Sequence, residues 1–268
     1  MTSSTILNSQ ILLKSKYLFL LVIGLVLIGN AQSCKVDEDD KPIPNGDLRI
    51  NIVHHVKGKE LVLDVLEHTN AANNEYYVSQ FQYYLSNFEL TGGSCGDYTP
   101  EASYHLISEI DDPNLGGLYQ KTTVDLSVES GCYKNLGFYI GVDEDRRANG
   151  PYTGDLSSIW NMAWDWSGDY IFMKLAGEFV GEDEMEESFV YHLAGEDQYK
   201  KVNLDLKTEL KIEAGEQTEI TIYADINKVF EGAHTIDFNN DASTMDPGSA
   251  LAKKLGENYA NMFSLAKD

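Results

Sequence analysis

Three tryptophans stand at positions 160, 164 and 166, close enough in the sequence to act together. In a strand, Trp164 and Trp166 would share one face, whereas in a helix they would point in different directions. The residues alone leave two interpretations open. The cluster is either local packing or, together with Trp160, an aromatic platform that binds a sugar.

Two histidines lie in runs that are typical of strands. His54 shares a period of two with Leu48, Ile50 and Ile52, so we expect its side chain to point inward. His192 lies in a similar run over residues 189–193. Taken alone, each is more typical of a hydrogen-bonded core histidine. Two such side chains meeting inside a sandwich would form a site for a soft or borderline metal.

The sequence lacks H-E-x-x-H and a phosphate-binding glycine loop, two of the usual signatures of catalysis. We therefore predict a protein that is not an enzyme. Calcium binding remains an alternative, because a short run near the C-terminus is rich in oxygen ligands, although it lacks the spacing of an EF-hand. That run contains Asp237, Asn239, Asn240 and Asp241.

The charge excludes one class of partner. The 268 residues include 20 basic and 43 acidic side chains, for a formal net charge of -23. Nucleic-acid binding needs Lys/Arg patches that face phosphates, so this composition argues against it. The hydrophobic fraction of 43% is that of a globular protein rather than a disordered one.

The N-terminus resembles an export signal. Lys14 and Lys16 precede an apolar run, Tyr17–Gly29, which is shorter than a membrane-spanning helix needs, and Cys34 follows. This pattern resembles a bacterial lipoprotein cleavage site, with a plain signal peptide and an uncleaved anchor as alternatives. We predict removal of residues 1–33 and a lipid on Cys34. The lipid would anchor the protein to the outer membrane of a Gram-negative bacterium, facing the periplasm or the cell surface.

The first residues after the predicted cleavage form an acidic linker over residues 34–46. Its run Lys35–Asp40 resembles the surface-export signal of some Gram-negative lipoproteins, and it also fits a solvated linker. Cys95 and Cys132 follow, and an even count in an exported chain predicts one disulfide. In the chain-entropy model, that bond would contribute roughly 3–4 kcal/mol.

The rest of the chain predicts one all-β domain over residues 47–268. Alternating hydrophobicity and turn signals indicate antiparallel sheets packed as a β-sandwich, because no βαβ alternation is visible. We expect a short helix over residues 155–164 and a C-terminal helix over residues 251–265. The expected strands cover residues 48–56, 61–65, 76–90, 104–110, 122–128, 133–142, 170–179, 188–193, 201–206 and 219–226.

Several segments together resemble the MbnP-like periplasmic copper-binding proteins. The most specific runs from Asn161 to Tyr170 and is similar to that family's Met-x-Trp-x-Trp-x-x-Gly-Tyr signature, with Asp169 as an extra residue. Further matching segments occur in the same order as in the family. They are His54–Leu61, Val78–Asn87, Tyr104–Ile107, Leu136–Asp143, Phe189–Gly195 and Tyr259–Phe263.

The resemblance implies copper handling. Proteins of this kind bind Cu(I) through histidine, and in some a partner diheme peroxidase of the MauG-related type oxidises a tryptophan to kynurenine. Carried over by position, His54 and His192 match the family's histidines, and Trp164 and Trp166 match its tryptophan pair. Trp166 is the choice for modification, and the thioether of Met162 is a further soft ligand.

We therefore expect an exported, lipid-anchored β-sandwich that binds Cu(I) for acquisition or buffering. His54, His192 and Trp166, or a kynurenine formed from it, would complete a site of low coordination. The alternative is a surface glycan- or protein-binding lipoprotein that uses the three tryptophans as a platform. The alternative requires exposed indoles, whereas copper binding requires the tryptophan pair beside the histidines.

Overall fold

A computed structural model describes residues 42–66, 68–94, 96–112, 117–164 and 167–266. The predicted signal peptide, Cys34 and most of the acidic linker lie outside the described residues. Cys95 and Trp166 also lie outside them. No helix within the described ranges is long and apolar enough to cross a membrane.

The described residues fold mostly as strands, as the alternating hydrophobicity predicts. Four short α-helices follow in the second half: α1 (Glu144–Asn149), α2 (Asn227–Phe230), α3 (Phe238–Asp241) and α4 (Ala250–Tyr259). The strands are β1 (Asn45–Val56), β2 (Lys59–Glu60), β3 (His68–Thr69), β4 (Glu75–Gly93), β5 (Gly96–Tyr98), β6 (Tyr104–Asp112), β7 (Gly117–Lys121), β8 (Thr123–Glu129), β9 (Gly131–Ile140), β10 (Ile171–Val180), β11 (Glu186–Ala194), β12 (Lys200–Ile212), β13 (Gln217–Asp225), β14 (Ser243–Thr244) and β15 (Phe263–Leu265).

Two sheets pack as a sandwich, which confirms the predicted fold class. A five-stranded sheet has the order β15-β13-β1-β2, with β8 also paired to β1. A ten-stranded sheet has the order β12-β9-β4-β10-β11-β14, and β3, β5, β6 and β7 extend it beside β4. One hydrophobic core contains side chains from both sheets. The side of the ten-stranded sheet that contributes to this core is called the inner face below, and the opposite side is called the outer face.

Strand β1 shows how the alternating sequence builds the core. Leu48, Ile50, Ile52 and Val56 are buried between the sheets, while the residues between them are partly exposed. Burying a side chain of this size contributes about 1.5–3 kcal/mol. The predicted face of β1 is therefore confirmed, and His54 lies on it.

The expectation of purely antiparallel sheets is wrong at two places. β1 pairs with β13 in parallel, with Leu48 opposite Thr218 and His54 opposite Ala224, and β11 pairs with β14 in parallel. A parallel pair needs a long connection instead of a hairpin. The many strands between β1 and β13 supply that connection, and no local sequence signal marks it.

The outer face is covered by the chain between β9 and β10. Side chains of this segment pack with side chains of β4, β6 and β10 in a second hydrophobic cluster that is separate from the core between the sheets. The cluster consists of Tyr84, Leu106, Val142, Leu156, Met162, Tyr170 and Phe172. This second layer gives the ten-stranded sheet a buried region on each side.

The helix expected over residues 155–164 is absent. Two 3-10 turns, Gly154–Leu156 and Ser158–Trp160, stand there, and the Ser157 hydroxyl accepts from the amide of Ile159 at 3.5 Å. Asn161 then adopts a left-handed conformation with φ of 53°, which ends the second turn. The glycine, serine and asparagine in this segment favour turns over a continuous helix.

Two other element boundaries differ from expectation. The stretch 61–65 is not a strand, because Asp64 takes a left-handed φ of 60° and only Lys59–Glu60 pairs with β1. The C-terminal helix α4 ends at Tyr259 rather than at residue 265. Its expected last turn is instead β15, in which Phe263 and Leu265 lie opposite Ala224 and Ile222 of β13.

Candidate metal centre on the outer face

His192 points to the outer face of the ten-stranded sheet. Its neighbours in β11, Tyr191 and Leu193, belong to the core between the sheets, and successive side chains of a strand point to opposite faces. Lys174 of β10 lies directly opposite His192, and Gln82 of β4 lies opposite Lys174. These three residues form a row of polar side chains across the outer face.

The surroundings of His192 keep its imidazole neutral. Burial, followed by the nearby ammonium of Lys174, lowers the pKa of His192 to about 4. The Nδ1 atom is buried and has no hydrogen-bond partner among the described residues. The ring lies 5.5 Å from the ring of Trp164, measured between centroids, at an interplanar angle of 52°. A neutral imidazole with a free nitrogen is the form of histidine that binds metals.

Trp164 is placed by a short hairpin. The extended pieces 162–164 and 169–171 are antiparallel, with Ala163 opposite Tyr170, and together they are called the tryptophan hairpin below. The amide of Trp164 donates to the carbonyl of Asp169 at 2.8 Å, and Gly168 donates to the carbonyl of Trp164 at 2.7 Å. The indole is 7% exposed and packs with Ile171 and Ala194.

Met162 lies in the same hairpin but its side chain packs elsewhere. It is buried in the second hydrophobic cluster, with Leu156 and Tyr170, whereas Trp164 belongs to the group with Ile171 and Ala194. The structure therefore does not place its thioether in the contact between Trp164 and His192.

His54 occupies a different environment between the two sheets. Its Nε2 lies 2.8 Å from the hydroxyl of Tyr83, and its ring meets that of Phe81 edge-on at 4.9 Å. Its Nδ1 lies 3.2 Å from Oε1 of Glu109, although not along the direction of a hydrogen bond. The side chain of His54 is fully buried and that of Glu109 is 9% exposed.

The structure does not bring His54 and His192 together. His54 contacts Tyr83 on the inner face, whereas His192 lies on the outer face with its ring against Trp164. Ligation of one ion at about 2 Å per bond requires both nitrogens within roughly 4–5 Å of each other. A site that uses both histidines is therefore inconsistent with this arrangement, because a sheet separates them.

Within the described part of the chain, no group of three or more His, Cys, Asp or Glu side chains could hold a metal ion. The calcium alternative is also unsupported by the oxygen-rich run. The carboxylate of Asp237 begins α3 and accepts from the amide of Asn239. It also accepts from the side-chain amides of Asn74 and Asn240 at 3.2 Å and 2.7 Å. These donors occupy the carboxylate oxygens of Asp237, one of the four proposed oxygen ligands.

The two tryptophans that the structure describes, Trp160 and Trp164, do not form one exposed platform. Trp160 is partly buried and stacks on Tyr119 at 5.3 Å and 26°, while its Nε1 donates to the carbonyl of Gly154 at 2.9 Å. Trp164 is buried beside His192 instead. The two described indoles thus make different contacts, and Trp166 lies outside the described residues.

The predicted disulfide remains a prediction, because Cys95 lies outside the described residues. Cys132 is in β9, and Gly93, two positions before Cys95, packs directly on its backbone. A Cβ on Gly93 would lie 1.4 Å from the carbonyl oxygen of Cys132, so only glycine fits there.

Sequence reasoning missed three residues that shape these sites. Lys174 is a buried charge within the apolar stretch at the start of β10, and Glu109 is a buried acid in β6. A charge at a buried strand position is a signal that could have marked both. Arg147, in the unexpected helix α1, gives no such signal, because both of its ion-pair partners, Asp169 and Glu196, lie in distant segments.

Comparison with known proteins agrees with the sequence resemblance. No curated protein matches the chain. Among solved structures, MbnP from Methylosinus trichosporium is similar at 13% identity, with a TM-score of 0.48, over 77% of this chain and 82% of that one. A family model described as MbnP matches residues 45–246, which is more than half of the chain. The chain therefore belongs to the MbnP family.

Proposed function

We propose that this protein binds copper as Cu(I), for acquisition or buffering, at a site built on His192 and the tryptophan hairpin. The observation that carries the proposal is the Nδ1 atom of His192, which is buried, has no hydrogen-bond partner among the described residues and belongs to a neutral ring. Membership of the MbnP family supports a related function.

The chemistry of the donors fits Cu(I) better than a hard cation. An imidazole ligand suits soft and borderline metals, whereas carboxylates and carbonyls suit calcium or magnesium. Lys174 next to His192 disfavours a dication more than a monocation, because Coulomb repulsion grows with the charge of the ion. His54 is not a ligand in this proposal, since Tyr83 and Glu109 occupy its surroundings.

The second ligand would come from the tryptophan hairpin. Indole is a poor ligand, but kynurenine offers an amine and a ketone. We propose Trp164 as the residue that a diheme peroxidase related to MauG oxidises, because its ring lies against His192. Trp166 is the alternative. The protein itself would catalyse no reaction, and its copper would be cargo.

The proposed location follows from the N-terminal pattern of a short apolar run followed by Cys34. An outer-membrane lipoprotein, in the periplasm or on the cell surface, would meet copper before it reaches the cytoplasm. Mass spectrometry of the N-terminal peptide tests this part separately: a diacylated or triacylated Cys34 supports it, and an intact signal segment contradicts it.

The test of the copper site is a titration of the mature chain with Cu(I) against a competing chelator. The protein is purified from its native host, and intact mass and metal content are measured first to detect kynurenine. We expect His192→Ala to weaken binding at least about tenfold, or 1.4 kcal/mol. His54→Ala and the surface variant His234→Ala should keep the affinity of the wild type.

Two outcomes would contradict this assignment. If His192→Ala keeps full affinity while His54→Ala loses it, the site lies between the sheets instead. If the wild-type chain carries no copper and does not bind added Cu(I), copper binding itself is wrong.

One observation favours the second candidate, a glycan- or protein-binding surface. Trp160 and Tyr119 form a stacked pair, and Ile159 beside them is 72% exposed. A parallel aromatic pair is a surface on which a sugar ring can pack. Trp160→Ala would abolish glycan binding in an array experiment if this candidate is correct, and would leave Cu(I) affinity unchanged if the copper proposal is correct.

A further inference from the structure

One guanidinium joins three segments of the chain, two of which carry or follow the residues of the contact between Trp164 and His192. Arg147 of α1 is mostly buried, and its Nε donates to the carbonyl of Val142 at 3.1 Å. Its Nη1 contacts the carboxylate of Asp169 at 3.3 Å, and its Nη2 contacts that of Glu196 at 2.7 Å. These partners stand at the end of β9, in the tryptophan hairpin and in the turn after β11.

Each partner is tied to a part of the proposed site. The carbonyl of Asp169 accepts from the amide of Trp164, so a contact to Asp169 holds the strand that carries the indole. Glu196 follows β11 by two residues, at the end of the strand that carries His192. Arg147 therefore links the backbone of Trp164 to the strand of His192 through two ion pairs.

The other end of the hairpin is held separately. Lys174, directly opposite His192, donates from Nζ to the carbonyl of Asn161 at 2.6 Å. The first strand of the hairpin is thus anchored to β10 near its start. The second strand is anchored by Asp169, the residue that is extra relative to the family signature.

The shape of arginine suits this position. A planar guanidinium presents several N–H donors in fixed directions, so it can bind two carboxylates and a carbonyl at once, whereas an ammonium is a point charge on a flexible stem. The guanidinium also lies 5.7 Å from the centre of the Phe172 ring. Asp169 and Glu196 are partly exposed, so each ion pair alone contributes little to global stability. The effect expected of Arg147 is therefore on local position.

We propose that Arg147 is a positioning residue that holds Trp164 against His192 and so sets the Cu(I) affinity without touching the metal. The metal part rests on the proposed function, whereas the placement of Trp164 does not. Ile171 stays paired with Ala194 of β11, so loss of the two ion pairs would let only the part of the hairpin that carries Trp164 shift from His192, while the sandwich stays folded.

The test uses two readouts on the full mature chain. The first needs no metal: the NMR shifts of the His192 ring protons, which the Trp164 ring current displaces, with Trp164→Leu as the reference for its absence. Arg147→Met and the double variant Asp169→Asn/Glu196→Gln should move these shifts toward the reference, and Arg147→Lys should fall between. The second readout is Cu(I) affinity, which should fall about tenfold in Arg147→Met, or 1.4 kcal/mol.

The control is Arg49→Met, which breaks an ion pair of similar length, 2.7 Å to Asp125, between β1 and β8. It should leave both readouts unchanged. Unchanged His192 shifts in a folded Arg147→Met and in the double variant would overturn the proposal. If the wild type binds no Cu(I), the proposed function fails, and the ring shifts still decide whether Arg147 places Trp164.

Discussion

Acid should destabilise the metal-free protein, and His192 should account for a measurable part of the loss. Its pKa is lowered from 6.5 to about 4 by burial and by Lys174, so the folded state resists protonation that the unfolded chain accepts. Above pH 6.5 both states are neutral and the group has no effect. As the pH falls from 6.5 to 4, the unfolded state binds the extra proton, and the free energy of unfolding decreases.

The size of this effect follows from the two pKa values. Between pH 7 and pH 5, the shift corresponds to a loss of about 2 kcal/mol. Because the ring is only partly buried, solvent screening reduces this, and we expect about 1 kcal/mol. The variant His192→Leu cannot bind this proton, so its stability should fall by about 1 kcal/mol less than that of the wild type over the same interval.

Urea denaturation at pH 7 and pH 5 measures this difference directly, because any change in packing caused by the leucine is common to both pH values. His105 provides a matched comparison, since burial also lowers its pKa to about 4. His105→Leu should reduce the acid loss by a similar amount. If His192→Leu shows the same pH dependence as the wild type, His192 titrates normally and the neutral ligand is not preformed.

Two further predictions concern the fold around the site. Tyr83→Phe removes the hydroxyl that lies 2.8 Å from His54 Nε2, so it should lower the free energy of unfolding by about 1–2 kcal/mol in urea denaturation. Its Cu(I) affinity should be unchanged. A weaker affinity would indicate that His54 belongs to the metal site. Gly177→Ala places a Cβ 1.9 Å from the carbonyl of Tyr77 and 2.7 Å from the Phe189 ring, so it should lower the free energy of unfolding by about 3 kcal/mol. Gly248→Ala, whose Cβ would meet nothing closer than 3.5 Å, should be tolerated. Equal urea midpoints for the two variants would refute the packing argument.

The strands were predictable because their hydrophobic alternation is strong and local. In β1, apolar residues recur at every second position over most of the strand, and burial follows the same period. The parallel pairing of β1 with β13 was not predictable, because it depends on a contact between residues far apart in the sequence. The helix predicted over residues 155–164 was wrong for another reason. The apolar residues of this segment pack on the outer face through turns rather than through a helix.

The surroundings of His192 in the candidate site were also only partly predictable from the sequence. In residues 189–193, the period of two already separates His192 from Phe189, Tyr191 and Leu193. The expectation that His54 and His192 meet inside the sandwich failed because it assumed that burial occurs on one side of the sheet only. A single sequence does not show that the chain between β9 and β10 covers the outer face as well.

Access to solvent gives a physical reason to place the metal in this second layer rather than between the sheets. His54 is fully buried within the core, so an ion could reach it only if the two sheets separated, which would expose most of the hydrophobic core. His192 is partly exposed, and one short hairpin lies against it. Movement of that hairpin would expose Met162, Trp164 and Tyr170 but would leave the core between the sheets intact. A protein that acquires or releases copper needs such a route. Under the proposed function, Trp164 would line the site and would also move when copper enters or leaves.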